Sequence, residues 1–149
     1  MITIIRISGQ VNLNEDVAET MYRMRIRRKY ACAIIDETAE NLGMLKKVRN
    51  FVAYGKTDKA VLIELIEKRG QVIDKKAKID AEKTADMILK NKNFDGTNIK
   101  PFFRLHPPRK GINSRQHFPK GVLGDNKEKI NNLLRRMLWM NLWERFSKL

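Results

Sequence analysis

Across residues 1–55 the apolar pattern alternates between the two-residue repeat of a strand and the 3.6-residue repeat of a helix, and this restricts the fold more than any other feature. Ile2 to Ser8 is a β-branched run that stops at Gly9 and reads as a first strand. A helix then opens at Leu13 and Asn14. Asn14 is the candidate N-cap, Glu15 and Asp16 suit the positive N-terminal end, and Val17, Met21 and Met24 recur at helical spacing. Tyr30 to Asp36 reads as a second strand buried on both faces. Thr38 is the candidate cap of a second helix whose apolar side is Leu42, Leu45, Val48 and Phe51, and Phe51 to Gly55 reads as a third strand. The order strand, helix, strand, helix, strand is that of a small α+β unit.

Beyond Gly55 the character changes. Asp58 is placed to cap a helix through Lys68 with Leu62, Leu65 and Ile66 inward, and Gly70 ends it. Residues 71–79 are lysine-rich and expected to be extended, and Ala81 to Lys90 repeats as a helix with Ala85, Ile88 and Leu89 on one side. Residues 127–146 carry Ile130, Leu133, Leu134, Met137 and Leu138 at amphipathic spacing, with Trp139, Leu142, Trp143 and Phe146 as a second stripe. The chain therefore divides into a core at 1–55, a helical extension packed on it at 56–95, a basic stretch at 96–124 and a C-terminal helix at 125–149. Together these make one domain, as the length of 149 residues allows.

The chain has 31 Lys and Arg against 17 Asp and Glu, a net charge of +14. Self-repulsion on this scale calls for a polyanionic partner. Residues 1–55 hold 9 basic and 6 acidic side chains, residues 56–100 hold 11 and 8, and residues 101–149 hold 11 and 3. The excess is therefore concentrated late in the chain. From Gly96 to Gly124 there is no acidic residue, while all four prolines and half of the eight glycines fall there, so the stretch is irregular or extended. Its cations, among them Arg104, Arg109, Lys110, Arg115 and Lys120 with His106 and His117, have no carboxylate within the stretch to pair with. Arginine forks suit phosphate, and Phe102, Phe103 and Phe118 can pack inward or stack on bases.

A second basic cluster is Arg23, Arg25, Arg27, Arg28 and Lys29. A helix dipole accounts for two or three cations at a C-terminus, but five within seven residues point to phosphate contact. Lys46, Lys47 and Arg49 are weaker candidates of the same kind.

Other chemistries lack residues. Cys32, His106 and His117 are too few and too scattered for a metal site. Adjacent Asp36 and Glu37 suit a turn or cap, and no glycine-rich phosphate loop or activated nucleophile is visible. The expectation is no enzyme, no cofactor and no small-molecule substrate. A lone cysteine, no leader and no bilayer-length apolar run suggest a cytoplasmic protein. Membrane insertion of Trp139, Trp143 and Phe146 is disfavoured because most of the charge lies elsewhere; contact with a neighbouring protein is the better reading of that tail.

Charge and spacing alone stop at a nucleic-acid binder. Arg104-Leu105-His106-Pro107-Pro108-Arg109-Lys110-Gly111, followed by Phe118-Pro119-Lys120-Gly121 and Leu123-Gly124, resembles the C-terminal signature of ribosomal protein thirty of the large subunit, archaeal type. Gly43-Met44, Lys47-Val48 and Phe51 to Gly55 are similar to its second helix and third strand, and Ile7 to Asn12 to its opening strand and turn. The resemblance runs to about Leu138. One departure is Lys110, where the family usually has glycine; the other is 139–149, which has no counterpart. The resemblance implies a reduced ferredoxin-like core of three strands and two helices, extended by further helices, an rRNA-contacting arm and a C-terminal helix. It also implies large-subunit rRNA as partner, in a ribosome-bound, structural role in assembly; neighbouring ribosomal proteins are a separate expectation, from the aromatic residues of the tail. The alternative is a free RNA chaperone or other nucleic-acid-binding module.

Overall fold

A computed structural model describes residues 1–76, 78–112 and 114–138. The three strands read from the sequence are β1 (Ile2–Arg6), β2 (Ala31–Ile35) and β3 (Val52–Lys56), with α1 (Glu15–Arg23) and α2 (Ala39–Val48) between them. β1 lies at the centre, antiparallel to both neighbours, with Ile4 opposite Ala33 on one side and Tyr54 on the other. Among the described residues, α3 (Lys59–Arg69), α4 (Ala81–Asn91) and α5 (Ile130–Met137), the last entered through a 3-10 turn at Lys127–Lys129, complete the α-helices. Two short strands that no periodicity announced, β4 (Phe102–Arg104) and β5 (Gly124–Asp125), extend the sheet to the order β4-β2-β1-β3-β5. β4 is antiparallel to β2, and β5 is parallel to β3. The fold is α+β with a mixed five-stranded sheet, whose middle is the three-stranded core expected.

Strand periodicity sends alternate side chains to two separate cores. Ile2 and Ile4 of β1, with Ala31 and Ala33 of β2, pack with Met21, Met24, Leu45 and Val48 under α1 and α2. Ile5, Ile7, Cys32 and Ile34 point the other way, onto Val61, Leu65, Ile88 and Leu134 of α3, α4 and α5. The sheet is thus covered on both faces, which is why β2 carries no polar residue. Cys32 is fully buried, and burial pushes its thiol far above the ordinary value, so it packs as an inert apolar group.

Asn14 and Thr38 cap as expected, accepting from the backbone N–H of Asp16 and Asn41. Two details differ. Leu42 is 42% exposed, because the inward stripe of α2 is Asn41, Met44, Leu45 and Val48, at helical spacing one step away from it. Asp58 stands at the N-cap of α3 but its side chain makes no capping bond; its N–H instead donates to Oδ1 of the buried Asn131 at 3.1 Å. Asn131 also donates to the carbonyls of Lys56 and Glu128, which fixes α5 against the end of β3.

That packing depends on Gly55, where a Cβ would lie 2.2 Å from the Lys127 carbonyl oxygen and 2.8 Å from Ile130 Cβ. Backbone is the obstacle, so relief requires displacing α5 rather than rotating a side chain. Gly55→Ala is expected to destabilise the fold by about 2 kcal/mol, lowering Tm by roughly 4–8 °C in a thermal melt. An unchanged melt would show that β3 and α5 are not held together at this point.

Candidate nucleic-acid interface

The end of α1 and the loop between α1 and β2 carry the basic cluster Arg23 to Lys29, and the shape of the loop is set from beneath by Arg6. This residue is only 3% exposed. Its position on β1 turns it toward the α1 side, where Ile2 and Ile4 also point. The guanidinium donates to four carbonyls: Ser8 at 2.9 Å, Gly9 at 3.2 Å, Ile26 at 3.0 Å and Arg27 at 2.7 Å. Its own carbonyl accepts from the Tyr30 N–H at 2.7 Å. Burial lowers the Arg6 pKa, and the four acceptors compensate for the lost water. Sequence reading missed this residue; the only signal is a cation between Ile5 and Ile7 in an otherwise apolar run.

The clamped loop is also conformationally constrained. Ile26 is fully buried, while Arg25 and Tyr30 hold positive φ angles of 65° and 64°, which side-chain-bearing residues seldom adopt. The result pushes cations outward around an apolar anchor. Arg27 lies over the Tyr22 ring at 3.9 Å and Lys29 over Tyr30 at 5.1 Å.

β4 adds the piece that links the two basic regions. Its antiparallel register places Arg104 opposite Ala31, directly beside the loop. Arg23, Arg25, Arg27, Arg28, Lys29 and Arg104 consequently line one cleft of about 620 Å³, with Tyr22, Tyr30 and Phe102 among its walls. Arg23 is bonded to Glu19 at 2.7 Å. Among the described residues, Arg25, Arg28 and Arg104 have no carboxylate within ion-pair distance.

The remaining candidates lie elsewhere. From β4 the chain runs along the end of α5, where the N–H groups of His106 and Arg109 donate to the carbonyls of Met137 and Arg136. It then returns to β5 at the opposite edge of the sheet. The proline-rich stretch is therefore docked on the body. Arg115, His117 and Lys120 are exposed near that second edge, and His117 Nε2 lies 2.8 Å from Oδ1 of Asn50, tying this segment to the end of α2. Lys46, Lys47 and Arg49 are exposed at that end of α2. Lys47 shares a depression between α1 and α2 with Asp16, Glu19 and Glu40, a mixed rather than a cationic surface. Trp139, Trp143 and Phe146 lie outside the described residues.

Lys110 occupies the third position of a turn closed by the Gly111 N–H on the Pro108 carbonyl at 3.1 Å, with φ of 64°. Glycine is the usual occupant of such a position. The departure from the resembled motif thus leaves the turn intact and puts a lysine in a glycine conformation. Arg136 braces it by donating from Nε to the Arg109 carbonyl at 2.9 Å and from Nη2 to that of Gly111. Lys110→Gly should relieve the strain, less the entropy that glycine returns to the unfolded chain, for a net gain of about 0.5–1 kcal/mol. Chemical denaturation of both proteins checks this; a less stable glycine variant would mean that the lysine side chain itself holds the turn.

Comparison with known proteins places this architecture. The family model described as Ribosomal protein L30p/L7e matches residues 2–52, which span β1, α1, β2, α2 and the start of β3. The protein named Large ribosomal subunit protein uL30 of Methanococcus maripaludis is 36% identical, across 91% of this chain and 97% of its own. The chain belongs to the L30p/L7e ribosomal protein family. The uL30 proteins of Archaeoglobus fulgidus and Methanoregula boonei, at 36% and 32% identity, are each aligned over 92% of this chain and 99% of their own. Family membership thus extends well past the region of the model, into α5. Among the described residues of this L30p/L7e member, no group of three or more His, Cys, Asp or Glu could hold a metal ion, and no helix is long and apolar enough to cross a membrane.

Proposed function

We propose that this chain is an architectural, non-catalytic component of the large ribosomal subunit, ribosome-bound in the cytoplasm, that binds rRNA through its basic surfaces and supports subunit assembly. The observation that carries the reading is the cleft in which Arg104 meets Arg25 and Arg28 without carboxylate partners among the described residues. Cations gathered in this way lose their mutual repulsion when phosphates replace the solvent around them. Arg115, His117 and Lys120, tied to the end of α2 through His117 and Asn50, make a second contact with Lys46 and Arg49; His106, Arg109 and Lys110 contact RNA along the end of α5, and Lys47, beside Asp16, Glu19 and Glu40, contributes least. Residues 1–55 and 56–95 serve as scaffold, 96–124 as the segment that meets RNA at both sheet edges, and α5 as the helix that braces that segment. Trp139, Trp143 and Phe146 meet a neighbouring ribosomal protein.

Sedimentation of cell extract tests both parts. The tagged full chain is expected to travel with intact large subunits, and a chain lacking residues 139–149 to be incorporated less completely. A full chain that stays at the top of the gradient while subunits are intact would favour a free RNA chaperone. Full incorporation of the shortened chain would remove the neighbour contact.

A further inference from the structure

We propose that the cleft between the α1–β2 loop and β4 holds one unstacked nucleobase of an RNA chain, the base lying against Tyr22 and Phe102 and its flanking phosphates on Arg25, Arg28 and Arg104. This rests on the RNA-binding reading above and deepens it, from contact with backbone to capture of a base.

The shape of the site is the first argument. A phosphate contact needs only a patch of cations, whereas this site is a concavity of about 620 Å³. It falls instead in the range of about 300–1,000 Å³ typical of sites that enclose a small molecule. The walls are the second argument. Phosphate contact requires no rings, yet Tyr22, Tyr30 and Phe102 all face this one space. Tyr22 is 56% exposed, a large apolar area left at the surface of a cleft. Bases flipped from helices are bound by such rings together with arginine planes.

Preorganisation is the third argument. Arg27 rests 3.9 Å above Tyr22, so one face of the ring is already fixed against a cation, and the loop beneath is held by Arg6. Little side-chain or loop order remains to be imposed when a base enters. An acidic segment of a neighbouring protein would engage the arginines but leave the rings without a task.

The test compares two fluorescently labelled RNA hairpins, one fully paired and one carrying a single bulged 2-aminopurine, with the full chain. The bulged hairpin should bind about 10–100-fold more tightly, the factor that stacking on one or two rings provides, and 2-aminopurine emission should change on binding. Tyr22→Leu, and separately Phe102→Leu, should bring the ratio of the two affinities close to one. Arg104→Gln should weaken both. Equal binding of the two hairpins with unchanged emission would overturn the base pocket and leave the RNA reading standing. If neither hairpin binds, both fall. Displacement of the bulged hairpin by poly-glutamate more effectively than by unlabelled hairpin would also overturn the proposal, assigning the cleft to an acidic protein segment.

Discussion

Replacing Arg25, Arg28 and Arg104 together with glutamine is expected to weaken binding to large-subunit rRNA about a hundredfold to a thousandfold near physiological salt. Three cations that converge on one cleft, without carboxylate partners among the described residues, lose no internal ion pair when they turn to phosphate. Each contact then contributes its full charge-assisted value, and a thousandfold corresponds to about 4 kcal/mol over three contacts. Losing three phosphate contacts should also lower the log–log dependence of affinity on salt by about 2 to 3. The proper control removes the same charge elsewhere. Lys75, Lys76 and Lys83 are exposed, and Asp74, Asp80 and Glu82 stand close to them in the chain, so their triple replacement should cost less than about tenfold. Filter binding across a salt series measures both quantities. Equal losses from the two triple variants would mean that net charge, rather than the cleft, provides the affinity.

Arg6→Met should have the largest effect on stability, about 3–4 kcal/mol, with Tm lowered by roughly 6–16 °C. The four carbonyls that now accept from the guanidinium belong to two separate loops, so their loss unpins both at once. Burying a guanidinium is itself costly, which is why the net loss is smaller than four charge-assisted bonds would suggest. Arg6→Lys should recover only part of it, since one ammonium cannot reach acceptors spread around a planar fork. A second effect separates this from ordinary core damage. Although Arg6 is buried, RNA affinity should fall in the folded Arg6→Met protein, because Arg25 and Tyr30 lose the support that holds them at positive φ. Undiminished affinity would show that the loop keeps its form unaided.

Arg6 and Arg104 also mark the limits of what the sequence reveals. The alternation of strand and helix was legible through residue 55 because β-branched runs and the caps Asn14 and Thr38 act locally, and α5 was legible because five apolar residues recur at its own period. β4 and β5 were not. With three and two residues they are strands only because the edges of β2 and β3 offer partners, and no internal pattern can report a partner's edge. The candidate site suffered the same blindness. Both basic clusters were visible as composition, but their union depends on the pairing of Ala31 with Arg104, across more than seventy residues of chain. The proline-rich stretch read as one arm because its charge is continuous, whereas the fold delivers Arg104 to one edge of the sheet and Lys120 toward the other. Arg6 was overlooked since one arginine in an apolar run looks like a strand end meeting water.

The placement of β4 and β5 has a consequence for how the chain is made. During synthesis the three central strands emerge first, with the outer sides of β2 and β3 bare, and the segments that shield them follow only at residues 102–104 and 124–125. Open strand edges are templates for pairing between chains. The ribosome making this protein therefore exposes an adhesive intermediate until the basic stretch has left the exit tunnel. The two segments that complete the sheet at its edges thus also shield it from other copies of the chain.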